Sequence, residues 1–453
     1  MKRGFMKGKI TGPKGTANNK PLARTSRLES AGQEHADLGV DWHVAAFLYE
    51  TLDVDLHTDG PSHIKLSYGV VKEAGNLDGF VPQKLQYTEL DPSRLDHPDD
   101  TTIQTTIPAQ WSDISRHTAD ELQDSWCDAV VDAATKREIF TQPGFPRPVP
   151  RPSTPAHRIA PAGAKGLGIF ATRNIKGGEL ILAERPLLMT PATIPPMSTN
   201  IPSHFTLQQL TLAKMADWEI YLKQFVKRML PDRYEKFMAL SNNHQHDGSG
   251  EILGRIRTNA FGVTCFRYLR TTRDSPYSVV CDELSRFNHS CRPNGSYHFD
   301  PASFSMAVYA TRDIKIGEEI CVSYVSDFAP YEERKKNLAP YGIDCTCEAC
   351  EDHVSSDARR SEIVPFRMPD SQTDPEVELR RYISQILLIE KEGLEGSRHY
   401  VQNHAGICIV ALGLGKRALA TKYQARLAQL AKRPETINPD VLLAIAMVSM
   451  VLK

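Results

Sequence analysis

Three cysteines stand within six residues at Cys345-Thr346-Cys347-Glu348-Ala349-Cys350. Soft sulfur donors at that density suit zinc, which in a closed structural site takes four ligands in a tetrahedron. One ligand is missing locally, and Cys291 is the natural fourth. It lies in Arg286-Phe287-Asn288-His289-Ser290-Cys291-Arg292-Pro293-Asn294, a run of hydrogen-bonding side chains, a thiol and a proline that makes poor core material. A metal on Cys291, Cys345, Cys347 and Cys350 would clip the Cys345 loop onto the Asn288-His289 loop, so the fold must bring these distant segments to one place.

The remaining cysteines, Cys127, Cys265, Cys281, Cys321 and Cys408, sit in apolar or mixed contexts and read as ordinary buried thiols. Nine cysteines in 453 residues are too few and too uneven for a disulfide scaffold, which points to a reducing, intracellular compartment, nucleus and/or cytoplasm. The length allows about three domains. A formal net charge of -1 gives no global attraction for nucleic acid or membrane, and neither is expected as a partner. Residues 1 to 30 carry eight Lys or Arg and one acid, Glu29, without the continuous apolar centre of a secretory signal. They read as a disordered start, with a transit peptide or a basic tail as the other readings.

Residues 1 to 142 are expected to be largely low in order, with short helices such as one over Trp42 to Tyr49 and an acidic, aperiodic text from Thr51 to Asp132. Residues 143 to 155 hold six prolines and two arginines. Proline fixes φ and removes a donor, so this run reads as an extended linker and domain boundary, or as a ligand for an SH3-type partner. Strands are expected at Gly168 to Arg173, Glu179 to Glu184, Thr258 to Cys265, Ser296 to Phe299, Phe304 to Ala310 and Glu319 to Tyr324. Helices fill 206 to 240, and Asn242 to Gly250 is a polar loop whose His244 and His246 read as loop residues rather than a metal site.

Ala171-Thr172-Arg173-Asn174-Ile175-Lys176-Gly177-Gly178-Glu179 and Ala310-Thr311-Arg312-Asp313-Ile314-Lys315-Ile316-Gly317-Glu318 are nearly one phrase, which predicts two equivalent strand-turn-strand corners in one β domain. From residue 375 to 453 the text is helical, with amphipathic segments over Val377 to Lys391, His399 to Leu412, Lys416 to Ala431 and Asp440 to Leu452. The apolar run Val441 to Leu452 is twelve residues. That is short of the roughly 17 to 25 a membrane span needs. These helices and the proline-rich run are where a partner protein would dock.

Lys165-Gly166-Leu167-Gly168, Asn288-His289-Ser290-Cys291-Arg292-Pro293-Asn294, Gly317-Glu318-Glu319-Ile320 with Tyr324, and the three-cysteine run resemble the SET-domain protein lysine methyltransferases in order and spacing. The long helical insert and the C-terminal helices are more similar to the SET-and-MYND branch. A MYND finger would need a Cys/His cluster between about residues 185 and 250, which has no cysteine, so the finger is expected to be absent, as in fungal-type SET proteins. The resemblance implies an α+β fold. Its β-rich SET domain spans 156 to 344 with a pseudoknot and a helical insert at about 206 to 256, followed by a post-SET zinc loop at 345 to 351 and the C-terminal helices. It implies that Gly166, Leu167, Gly168, Asn259, Asn288, His289 and Tyr324 contact S-adenosylmethionine. Tyr324 stands at the methyl-transfer centre and Tyr341 lines the lysine channel. Ile343 stands where an aromatic usually covers the adenine, which implies weaker cofactor binding unless another group fills that place.

The implied chemistry is physically consistent. A free lysine has a pKa of about 10.4, so it must lose a proton before attack. A narrow apolar channel beside a sulfonium charge lowers that value. Methyl transfer is an in-line displacement, so alignment supplies most of the catalysis, and the Tyr324 hydroxyl is expected to orient rather than to act as a base. The expected function is S-adenosylmethionine-dependent methylation of a lysine ε-amine in a histone or non-histone protein. The rival is a SET module of weak or no activity serving as an interaction scaffold.

Overall fold

The computed structural model describes residues 94–108, 124–192, 202–263, 265–266, 277–367 and 372–430, with residues 66–67, 70–71, 80 and 446. The described residues fall in one compact unit, Val40–Lys453. The expectations for residues 1 to 57 lie outside them, as does the helix over Asp440 to Leu452 apart from residue 446.

A two-residue antiparallel pair, β1 (Leu66–Ser67) and β2 (Val70–Val71), comes first. The expectation of low order up to residue 142 does not extend to β3 (Thr102–Ile107) and β4 (Cys127–Asp132), which pair antiparallel and are almost wholly buried. Two of their buried polar side chains, Gln104 and Asp128, find distant arginine partners. Arg228 Nη1 donates to Gln104 Oε1 at 2.6 Å and Arg233 Nε to Asp128 Oδ2 at 3.3 Å. Asp132 caps α1 (Ala133–Phe140), accepting from the Thr135 N–H at 2.7 Å.

The proline-rich run is extended, but it is docked rather than free. The Arg147 N–H donates to the Ala302 carbonyl at 2.8 Å, the Val149 N–H to Asp124 Oδ2 at 2.9 Å, and the Val149 side chain is buried. It therefore separates no two compact units among the described residues; it lies along the β domain.

Next come β5 (His157–Pro161), β6 (Leu167–Ala171), β7 (Leu180–Glu184) and β8 (Leu188–Pro191). The helical insert is α2 (Leu207–Val226), opened by a Thr206/Gln209 capping box, α3 (Pro231–Met238) with proline in its first turn, and α4 (Glu251–Asn259). Thr258 and Asn259 close α4 instead of starting a strand. The Thr258 hydroxyl bonds back to the Gly254 carbonyl at 2.7 Å, and β9 begins only at Phe261 (Phe261–Val263). His244 lies in the loop expected there and is buried in it, with Nδ1 2.7 Å from Asp247 Oδ2.

The remaining strands are β10 (Tyr277–Val280), β11 (Asn288–His289), β12 (Gly295–Asp300), β13 (Ser305–Ala310) and β14 (Glu319–Val322). They build sheets of order β3-β4-β8-β10-β9, β11-β14-β6-β5 and β12-β13-β7 around a shared apolar core that includes Ile169, Met189, Phe287, Met306 and Ile320.

The duplicated phrases form equivalent corners, and these pack on each other. Ile175 and Ile314 make a mutual antiparallel bridge, each donating to the other's carbonyl at 2.9 Å. In the first copy Arg173 pairs with Glu179 at 2.8 Å, and in the second Arg312 pairs with Glu318 at 2.9 Å. Gly178 (φ 88°) and Gly317 (φ 82°) take the matching left-handed positions.

Behind β14 follow α5 (Tyr331–Leu338), α6 (Glu348–Glu351) and α7 (His353–Ser361), then α8 (Pro375–Glu392), α9 (Arg398–Gly413) and α10 (Arg417–Leu430). The last three bury an apolar stripe that includes Leu379, Tyr382, Ile386, Tyr400, Ile407 and Leu427. Among the described residues no helix is long and apolar enough to cross a membrane.

Candidate active site and metal centre

The chain enters the site through a 3₁₀ turn, Leu284–Arg286, whose first N–H donates to Glu184 Oε1 at 2.6 Å. β11 then runs parallel to β14, with Asn288 beside Cys321 and His289 beside Val322. Asn294 staples the exit of this loop: its Oδ1 accepts from the Cys321 N–H at 2.8 Å and its Nδ2 donates to the Glu319 carbonyl at 2.9 Å. A side chain with both a donor and an acceptor can replace two lost ladder bonds at one position. The Asn288-His289 segment is thereby locked beside the Tyr324 segment.

Asn288 Nδ2 donates to the Leu167 carbonyl at 3.0 Å and to Glu319 Oε1 at 2.8 Å, while Lys165 pairs with Glu319 from the other side. A Cβ on Gly168 would sit 2.8 Å from both Asn288 Nδ2 and Glu319 Oε1, so only glycine permits this contact. Gly166 needs glycine for another reason, its φ of 77°, and the space where its Cβ would point is open. Leu167 between them is exposed. The glycine pair, Asn288 and Glu319 thus make one edge with bare main chain facing open space.

His289 and Tyr324 face each other across the parallel pair, ring centroids 5.4 Å apart, and Tyr341 lies 5.4 Å beyond Tyr324. The Tyr324 N–H donates to His289 Nδ1 at 3.0 Å, and the Tyr324 hydroxyl donates to the Phe287 carbonyl at 2.5 Å. Burial, with smaller contributions from Tyr341 and nearby acids, pushes the Tyr324 phenol well above its ordinary value, so it stays protonated at neutral pH. Tyr297, stacked edge-on against Phe261 at 4.8 Å, is raised in the same way by burial and by Tyr341 and Asp327. Aromatic rings therefore gather around Tyr324.

The sulfurs of Cys291, Cys345, Cys347 and Cys350 all lie within 4.8 Å of one another, and those of Cys291 and Cys350 are 3.5 Å apart. Regular tetrahedral zinc with Zn–S bonds of 2.3 Å would set sulfurs about 3.8 Å apart. The set can hold a metal ion. His289 Nε2 stands 3.2 Å from Cys291 Sγ, joining this cluster to the Tyr324 side. Ile343 packs against the same cysteine cluster.

Asn259 stands apart from these contacts. Its Nδ2 donates to the Ser241 and Arg255 carbonyls, each at 2.7 Å, and it meets the site through its carbonyl, which accepts from Ser285 Oγ at 3.0 Å. Four further residues take part: Glu319 and Asn294 fall inside the motifs at residues 317–320 and 286–294, whereas nothing in the sequence around Tyr297 and Asp327 marks them. Asp327 is buried, its Oδ1 has no partner among the described residues, and burial pushes its carboxyl up to about 6 against the pull of Arg360 and His289. The cysteines outside the cluster are free: Cys127, Cys281, Cys321 and Cys408 are buried and Cys265 is half-buried.

A SET-domain family model matches residues 166–325. The chain is 42% identical over 199 residues to a SET domain-containing protein of Acanthamoeba polyphaga mimivirus, covering 41% of this chain and 74% of that one. It is 27% identical over 198 residues to histone-lysine N-methyltransferase set5 of Schizosaccharomyces pombe, covering 44% of this chain and 51% of the relative. Over 69 residues it is 38% identical to histone-lysine N-methyltransferase SMYD3 of Homo sapiens, covering 15% of this chain and 16% of that protein. The chain thus spans about half the length of the fission-yeast relative.

Proposed function

The chain belongs to the SET-domain family, and on that premise we propose that it is an S-adenosylmethionine-dependent protein-lysine N-methyltransferase carrying one structural zinc. Relatives named histone-lysine N-methyltransferases support the reaction class. The observation that carries it is the convergence at Tyr324, whose main chain is fixed to His289, whose hydroxyl is fixed to Phe287 and whose ring faces Tyr341.

S-adenosylmethionine, when bound, supplies an electrophilic methyl group on a sulfonium sulfur. The glycine edge suits a ligand that approaches main chain closely: Gly166 leaves open space and Gly168 admits the Asn288 side chain. Both ring nitrogens of His289 are engaged within the protein, so any contact it makes to the cofactor is through its main chain. The amide nitrogen of Asn259 is likewise engaged, which gives that residue the part of fixing the end of α4.

A protonated, hydrogen-bonded Tyr324 phenol is an orienting group, since a base would have to ionise in a site where burial opposes charge. The same burial favours the neutral lysine amine that must attack. Tyr297, Tyr324 and Tyr341 offer aromatic faces of the kind that attract an alkylammonium before it loses its proton. Four thiolates within tetrahedral reach support zinc at Cys291, Cys345, Cys347 and Cys350. The reading is tested by calorimetric titration of the zinc-loaded chain with S-adenosylmethionine. Saturable binding with thermal stabilisation is expected; a zinc-loaded chain that neither binds nor is stabilised overturns the proposal.

A further inference from the structure

Arg360, near the end of α7, is 3% exposed and spends its guanidinium on three separate segments. Nη2 donates to the Cys291 carbonyl at 2.8 Å, Nη1 to the Asp327 carbonyl at 2.5 Å and Nε to Glu392 Oε2 at 3.0 Å. Cys291 belongs to the metal set, Asp327 follows Tyr324 in the chain, and Glu392 is the last residue of α8. Glu392 is itself 1% exposed and also accepts from Ser356 Oγ at 2.5 Å and from Arg359 Nε at 2.5 Å. The turn after it reinforces the contact: Gly393 has φ 66°, and a Cβ there would sit 3.0 Å from Arg292 Nε and 3.1 Å from Arg292 Cβ. The end of α8 therefore presses on the residue next to Cys291 while its carboxylate holds the arginine that binds Cys291.

A buried ion pair gives little net stability over apolar packing of the same volume. A planar guanidinium with fixed donor directions, however, dictates where two carbonyls sit relative to each other. The two it grips belong to the segments that leave the crossing at which His289 meets Tyr324.

We propose that Arg360, oriented by Glu392, is a positioning residue that sets the spacing between the Cys291 loop and the Tyr324 loop. The C-terminal helices are then an integral part of the methyl-transfer site instead of a detachable docking module. This rests on the reading of the site as a zinc-clipped, S-adenosylmethionine-binding centre.

The test uses the full zinc-loaded chain and its Arg360→Lys, Arg360→Met and Glu392→Gln variants, compared well below their melting temperatures. Two quantities are read: the dissociation constant for S-adenosylmethionine by calorimetry, and the rate at which a chromogenic chelator strips zinc. Supporting groups around a metal site are worth about 10- to 100-fold, so Arg360→Lys should weaken cofactor binding and speed zinc loss by about tenfold or more. Lysine restores the charge opposite Glu392 but not the fork, so it should recover much of the thermal stability lost in Arg360→Met without recovering affinity. Glu392→Gln should fall between wild type and Arg360→Lys. If Arg360→Met does not fold, the other two variants carry the comparison. Wild-type affinity and wild-type zinc release in Arg360→Lys overturn the inference. Failure of the wild-type chain to bind the cofactor would instead strike the functional reading, while the zinc-release rates still judge Arg360.

Discussion

The backbone N–H of Tyr324 donates to His289 Nδ1 at 3.0 Å, while Nε2 of the same ring lies 3.2 Å from Cys291 Sγ. A backbone N–H can only donate, so Nδ1 is the acceptor and the ring proton belongs on Nε2, aimed at the sulfur. The imidazole is a strut between Tyr324 and a sulfur of the four-cysteine cluster.

On the proposed function, that strut couples cofactor binding to Cys291, a residue that need not touch the cofactor. Cys291→Ser should lower zinc content and weaken S-adenosylmethionine binding by about 10- to 100-fold, the usual worth of groups that orient a site. Metal analysis and calorimetry on the folded variant measure both. Lost zinc with undiminished cofactor affinity would break the coupling.

Asp327 gives the stability of the fold a pH signature. Burial raises its carboxyl from 3.8 to about 6. The folded state thus holds this proton more tightly than the unfolded chain, and the group's contribution is complete below pH 3.8, shrinks as pH rises through 6 and is constant above. Asp327→Asn removes that dependence. Denaturant unfolding of both chains between pH 4 and 8 should show the variant gaining on wild type up to about pH 6 and holding level beyond. A difference that does not change with pH contradicts the assignment.

The twin corners provide an internally controlled test of how the C-terminal helices dock. Gly178 and Gly317 occupy matching positions with φ of 88° and 82°, but a Cβ on Gly178 would lie 2.5 Å from the Gln429 carbonyl whereas one on Gly317 meets nothing within 4 Å. Gly317→Ala should cost only the left-handed backbone penalty of about 1–2 kcal/mol. Gly178→Ala should cost clearly more, because α10 must shift as well. Equal losses in urea unfolding would mean that α10 does not press on that corner.

The structure brings together residues that the sequence singled out in two ways: Cys291 and the cysteine run by donor type and spacing, and Asn288, His289 and Tyr324 by the resemblance to SET-domain proteins. The twin corners were legible because the same nine-residue phrase must solve the same turn twice. β3 and β4 were not, since a strand with buried Gln104, Thr105 and Asp128 reads as polar text until Arg228 and Arg233, far along the chain, are brought against it. Arg360 and Glu392 escaped for the same reason. On helix surfaces such residues are usually solvated, and only the tertiary fold closes them over the Cys291 and Asp327 carbonyls. His244 lies in the loop expected for it, but that its ring would be buried against the half-buried Asp247 was not legible from the polar text around it.

The central claim is that the Tyr324 site transfers a methyl group to lysine, and it is judged by incubating the zinc-loaded chain with isotope-labelled S-adenosylmethionine and a lysine-rich protein extract, then locating the label by mass spectrometry. Label on lysine ε-amines is expected with the wild-type chain. With Tyr324→Phe that label should fall by about 100-fold, the typical loss when one positioned hydrogen-bond donor is removed, while cofactor affinity is retained. No labelled lysine with a cofactor-binding wild-type chain, or full turnover in Tyr324→Phe, would contradict it.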